Sequence, residues 1–214
     1  MADIFTEIDE EIRHDRALEL WKRYGNHLVG AAVAVVIATA GFVAWRDYDR
    51  KQVYAEAARF AAASELQAKG NTAEALAAFG AIVRDGRPGY AQLARLRGAA
   101  IMAQSGDVAG ALAIYRALAA DSGVEREIRD IAQVLATLNN LDNLDPAGID
   151  QQLAAVAGAN SPWRYTALEL SALAAARGGD TAKARELYAK IADDPAAPAS
   201  LRARAAEMLA ALAG

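Results

Sequence analysis

The sequence predicts an all-α protein: a single N-terminal transmembrane helix, then a helical solenoid of about four helix pairs with a C-terminal capping helix. Three observations predict it. Alanine dominates an apolar fraction of 54%, and alanine is the strongest helix former because it loses no side-chain entropy on ordering. Residues 28–45 carry no charge. Past residue 50, a turn followed by small and apolar residues recurs at intervals of 36, 38 and 35 residues. No alternating strand pattern competes with the helical period.

The first segment, residues 1–25, is acidic. Up to residue 27 it holds seven acids (Asp3, Glu7, Asp9, Glu10, Glu11, Asp15, Glu19) against four bases (Arg13, Arg16, Lys22, Arg23). Ile4, Phe5, Ile8 and Ile12 form an amphipathic stripe that suits a partner helix or the membrane border. The net charge of -4 for 214 residues, with no basic surface, excludes a phosphate-neutralising role, so no nucleic-acid partner is expected.

The second segment, residues 26–45, is the transmembrane helix. Leu28 to Trp45 reads LVGAAVAVVIATAGFVAW; with Asn26 and His27 it makes about 30 Å of helix, the thickness of the hydrocarbon core. Trp21 and Tyr24 precede the run and Trp45 and Tyr48 follow it, where amphipathic rings settle at the headgroups. Ala38-Thr39-Ala40 has the look of a signal-peptide cleavage site, but the preceding segment is acidic and the run continues past it to Trp45. Arg13, Arg16, Lys22 and Arg23 on one side balance Arg46, Arg50, Lys51 and Arg59 on the other, which leaves orientation open. Gly30, Ala34, Ala38 and Gly41 lie near one helical face, a surface for close packing by a partner helix.

The third segment, residues 46–214, contains the repeat. Ala75, Phe79 and Ile82 follow Gly70-Asn71; Ala111, Tyr115 and Leu118 follow Gly106-Asp107; Ala184, Tyr188 and Ile191 follow Gly179-Asp180. Ile149, Leu153 and Val156 repeat the offsets after a degenerate turn, Asn143-Leu144-Asp145-Pro146. The spacing is close to the roughly 34-residue tetratricopeptide period, in which antiparallel helix pairs stack on one another. Each glycine is expected to end a first helix in the left-handed conformation, and the following Asn71, Asp107 or Asp180 to cap the second. First helices are predicted over 50–69, 89–105, 124–141 and 162–177, and a cap over 199–213.

The only histidines are His14 and His27, and there is no cysteine. The repeat segment therefore lacks imidazole and thiol for acid–base, nucleophilic or metal chemistry. Gly178-Gly179 and Gly86-Arg87-Pro88-Gly89 lack phosphate-loop spacing and read as turns. Asp193-Asp194 and Asp142 with Asp145 read as helix-end residues, with no further oxygen ligands spaced for a cation. No enzyme activity, cofactor, metal or small-molecule substrate is expected. First helices of tetratricopeptide stacks line a concave groove, and Phe60, Ser64, Leu93, Leu96, Gln104, Glu169, Leu173 and Arg177 are the expected protein-binding residues there, with inter-repeat core the alternative for several of them, the leucines above all.

Taken in order, Asp9-Glu10-Glu11 with Arg13, Trp21-Lys22-Arg23-Tyr24, one span ending Trp45-Arg46 and a degenerate tetratricopeptide domain resemble the ancillary SecYEG translocon subunit family, of alphaproteobacterial type. The resemblance implies a cytoplasmic N-terminus, one helix in the bacterial inner membrane and a periplasmic domain. It also implies protein partners: Sec translocon subunits, periplasmic chaperones and emerging client chains. A repeat scaffold for outer-membrane or septal assembly is the alternative.

Overall fold

The computed structural model describes the backbone of residues 3–158 and 160–212, and the side chains of 21–27, 29–158 and 160–212. The stripe Ile4, Phe5, Ile8 and Ile12, and His14, lie outside the described side chains. Among the described residues there is no strand, and the helices are α1 (Asp3–Ala68), α2 (Thr72–Asp85), α3 (Pro88–Gln104), α4 (Val108–Ala120), α5 (Arg126–Asn139), α6 (Pro146–Leu153), α7 (Arg164–Arg177), α8 (Thr181–Ala192) and α9 (Ala199–Ala211), with a short 3-10 turn at Leu141–Asn143. Two compact units divide the chain, Met1–Ala55 and Glu56–Gly214.

In the first unit, the apolar side chains of Val29, Val33, Val35, Val36, Ile37, Phe42, Val43 and Trp45 are all at least half exposed. None of the most apolar window of this helix is covered by the rest of the chain. A core helix of a soluble domain would show the opposite, because burying large aliphatic side chains is worth about 1.5–3 kcal/mol each. One helix among the described residues is thus long and apolar enough to cross a membrane.

In the second unit, consecutive helices pack as antiparallel pairs: the end of α1 with α2, α3 with α4, α5 with α6, and α7 with α8. First helices also touch one another in sequence, α3 to α5, α5 to α7 and α7 to the capping α9. The sequence offsets select the core. Ala75, Phe79, Ile82, Ala111, Tyr115, Leu118, Ile149, Leu153, Val156, Ala184, Tyr188 and Ile191 are each no more than 2% exposed. They anchor four successive clusters from Ala63 to Ala205.

Three turns are built alike. Gly70, Gly106 and Gly179 have φ of 80°, 94° and 83°. In each turn the glycine N–H bonds the carbonyl three residues back and the next residue's N–H bonds the one five back: Asp107 N donates to Met102 O at 2.9 Å and Asp180 N to Ala175 O at 2.9 Å. This is a Schellman closure, and residues with a Cβ resist its left-handed step. Asp107 and Asp180 then cap α4 and α8, their carboxylates accepting from Gly110 N at 2.9 Å and Lys183 N at 3.0 Å. Asn71 departs from the expectation. Its side chain makes no cap bond to the backbone, and its amide Nδ2 donates to Glu74 Oε2 at 3.1 Å.

The third pair is made differently. α5 ends at Asn140 with φ of -115°, the 3-10 turn follows, and Asp145 caps α6 by accepting from Gly148 N at 2.8 Å. α6 is only 8 residues long, so Val156 fills its place in the core from beyond the helix end. Gly178 is required here by packing: a Cβ would come within 2.7 Å of Pro146 Cγ.

Candidate functional site on the first helices

Counting back from the residue that closes each first helix puts the four on a common register. The closing residues are Gly70, Gly106, Asn140 and Gly179. Ten places before them stand Phe60, Leu96, Asp130 and Glu169. Phe60 packs edge-on to Phe79 at 5.4 Å between ring centres and lies 6.0 Å from Tyr90 of α3. Leu96 is 9% exposed and belongs to the cluster shared by α3, α4 and α5. Glu169 receives Arg204 of α9 on both oxygens, at 2.8 and 2.7 Å, and the pairing raises the Arg204 pKa above its usual value.

That position therefore faces the next first helix. Phe60, Leu96 and Glu169, expected in the groove, are occupied in joining one repeat to the next. The reason is geometric: successive first helices touch, so the stripe adjoining the groove is a packing stripe. Asp130 is the exception in kind. It is 9% exposed, its Oδ2 has no hydrogen-bond partner, and the nearest cation, Arg126 Nε, is 3.9 Å away.

The remaining expected residues lie elsewhere on these helices. Leu93, Gln104 and Arg177 are exposed, while Ser64 and Leu173 are half-buried. Ser64 Oγ donates to Phe60 O at 2.9 Å, within its own helix. Leu93 and Gln104 stand thirteen and two places before Gly106, and Arg177 stands two before Gly179. The same two places before Asn140 are Glu127 and Leu138, both exposed, and neither was anticipated. The third repeat lacks the glycine from which the register is counted; substituting Asn140 as the reference recovers them.

The helical period puts the positions thirteen and two places before the closing residue on one side of each helix: Leu93 and Gln104 on α3, Glu127 and Leu138 on α5, and the half-buried Thr166 with the exposed Arg177 on α7. Arg177 Nη2 donates to Asp142 Oδ1 at 2.7 Å.

The family model described as Tetratricopeptide repeat-like domain matches residues 19–208. The chain belongs to the tetratricopeptide repeat-like domain family. No curated protein and no solved structure matches it. The match takes in the apolar run as well as all four helix pairs. A tetratricopeptide-like stack is a scaffold for protein–protein interaction, since each repeat adds one first helix to an extended binding surface.

Two clefts border this surface. One, of about 210 Å³, lies between the starts of α3 and α5 and is lined by Gly89, Tyr90, Gln92, Leu93, Glu125 and Ile128. The other, of about 180 Å³, lies where the 3-10 turn meets the end of α7, with Arg177 at its edge. Elsewhere, polar contacts stitch α7 to the α8–α9 loop: Arg164 Nη2 and the Tyr165 hydroxyl both donate to Asp194 Oδ2, at 2.6 and 2.7 Å. The Tyr165 hydrogen bond, with the Ala196 N–H, holds the Asp194 carboxyl below its ordinary range. Lys183 pairs with Asp150, joining α8 to α6, and that bond raises the Lys183 pKa. Among the described residues no three His, Cys, Asp or Glu side chains converge as a metal site.

Proposed function

We propose that the protein is a membrane-anchored interaction scaffold, an ancillary subunit of the Sec translocon that links chains emerging into the periplasm to chaperones. Residues 1–25 lie in the cytoplasm, 26–45 cross the inner membrane and 46–214 form the periplasmic scaffold. The observation that carries the anchored scaffold is the pairing of an exposed apolar helix with a stack of helix pairs whose first helices touch in sequence. The Sec assignment and the orientation draw on the resemblance in the N-terminal segment and span borders. The protein is a non-enzyme in this reading, consistent with an imidazole- and thiol-free repeat segment. Gly30, Ala34, Ala38 and Gly41, all exposed, are the surface that meets a channel helix.

Photocrosslinking in cells from positions 30 and 34 tests the assignment. Capture of a Sec channel subunit is expected. Repeated capture of septal or outer-membrane assembly proteins alone would contradict it and favour another envelope scaffold. Protease added to spheroplasts should digest residues 46–214; their protection would reverse the orientation.

A further inference from the structure

The joint between the third and fourth helix pairs is built unlike the others. Val134 of α5 packs with Ala167 and Leu170 of α7, and Asp130, four places earlier, lies on the same side of α5 by the helical period. The joint thus encloses a carboxylate oxygen with no hydrogen-bond partner, where the others hold Phe60, Leu96 or the Glu169–Arg204 pair. A buried oxygen without a partner works against the packed arrangement. The apolar core here is also smaller. Phe79, Tyr115 and Tyr188 anchor the other three clusters, and such a ring buries about 150–250 Å². Leu153 stands in that place in the third pair, and the Trp163 that packs against this cluster is half-buried. The second helix is short as well: α6 has 8 residues, against 14, 13 and 12 in α2, α4 and α8.

The remaining ties across this joint are polar. Arg177 of α7 donates to Asp142, Lys183 of α8 pairs with Asp150 of α6, and the Trp163 indole N–H donates to Glu127 O at 3.1 Å. Both ion pairs are open to water. Pairs of that kind add little net stability, and they part and re-form without leaving a buried charge behind. The parts of a fold with the least apolar burial open first. We infer that this joint is a hinge: the stack bends between α5–α6 and α7–α8, while the helix pairs on either side keep their own cores. The first three pairs, from residue 56 on, form one body, and the fourth pair with α9 forms the other. Curvature of the scaffold is therefore set at one joint rather than shared along the stack.

Spin labels on introduced cysteine pairs test the hinge in the full chain in nanodiscs, since the chain has no cysteine of its own. Positions 77 and 151 place labels on α2 and α6, and positions 113 and 185 on α4 and α8; all four residues are exposed, and each label pair spans two joints. The 113–185 distance distribution should be the broader of the two. Asp130→Leu should narrow it and slow amide hydrogen exchange in α5 and α6 about tenfold, as expected when a buried oxygen without a partner is removed. Arg177→Gln with Lys183→Gln, which cuts both ionic ties at exposed or half-buried positions, should broaden it further. Neither change should alter the 77–151 distribution. Equal widths for the two label pairs overturn the hinge, as does a 113–185 width that neither variant changes. Rapid exchange in α5 and α6 without a broader 113–185 distribution marks local fraying instead and overturns it too.

Discussion

The three glycine-closed repeats and the third repeat reach the same packing by different means. Gly70, Gly106 and Gly179 close their helices through a left-handed step, and the ten-back position joins repeats through Phe60, Leu96 or the Glu169–Arg204 pair. The third repeat closes through Asn140 and a 3-10 turn, shortens its second helix and places Asp130 at the ten-back position. Yet Ile149, Leu153 and Val156 are as buried as their counterparts. Core positions define the repeat; turn chemistry and the joint between repeats can vary around them.

The largest expected effect is common to both kinds of repeat. Tyr115→Ala should cost about 3–5 kcal/mol and Leu153→Ala about 2–5 kcal/mol, because each empties a site with no room to relax. Urea unfolding followed by circular dichroism measures both. If Leu153→Ala proved neutral, the third repeat would not be part of the cooperative core.

The next effect separates the repeats by sign. Leu96→Asp should destabilise, whereas Asp130→Leu at the equivalent place should stabilise by about 1–3 kcal/mol, since it removes a buried oxygen without a partner. The same melts show it, and a loss of stability from Asp130→Leu would mean that the carboxylate has a role in the joint.

Turn chemistry gives a smaller difference. Gly106→Ala should cost about 1–2 kcal/mol for forcing a Cβ into the left-handed region, while Asn140→Ala, at φ of -115°, should change stability by under about 0.5 kcal/mol.

The smallest effect is pH-dependent and belongs to the fourth repeat. The Asp194 carboxyl is lowered, chiefly by the Tyr165 hydrogen bond. Its contribution is therefore complete above the unfolded carboxyl value of about 4 and lost as pH falls through the lowered folded value. Asp194→Asn should reduce Tm at neutral pH, with the gap from the parent closing in acid. A gap that widens in acid would give the wrong sign.

Much of the fold was legible because helical repeats leave local marks. The glycine turns, the Asp107 and Asp180 caps and the small–aromatic–aliphatic offsets are set by neighbours within one helix pair. Which stripe of a first helix faces the groove was less legible. Phe60 and Leu96 look alike to Leu93 in composition, and only the contact between successive first helices distinguishes them. Leu138 and Glu127 are hard to place from sequence because Asn140 does not announce a helix end as glycine does. Whether the Asn71 Oδ1 accepts from the helix backbone while Nδ2 reaches Glu74 is a matter of side-chain orientation that sequence does not specify.

Thiol labelling probes directly the separation of an open side of the first helices from the side that joins repeats, because the chain contains no cysteine. Single cysteines placed at 93, 104, 138 and 177, and at 60, 96 and 130, would be reacted with a maleimide in the full chain in nanodiscs. The first set should label fast and the second slowly. Equal reactivity at 93 and 96, or faster labelling at 60, 96 and 130 than at the first set, would contradict this separation.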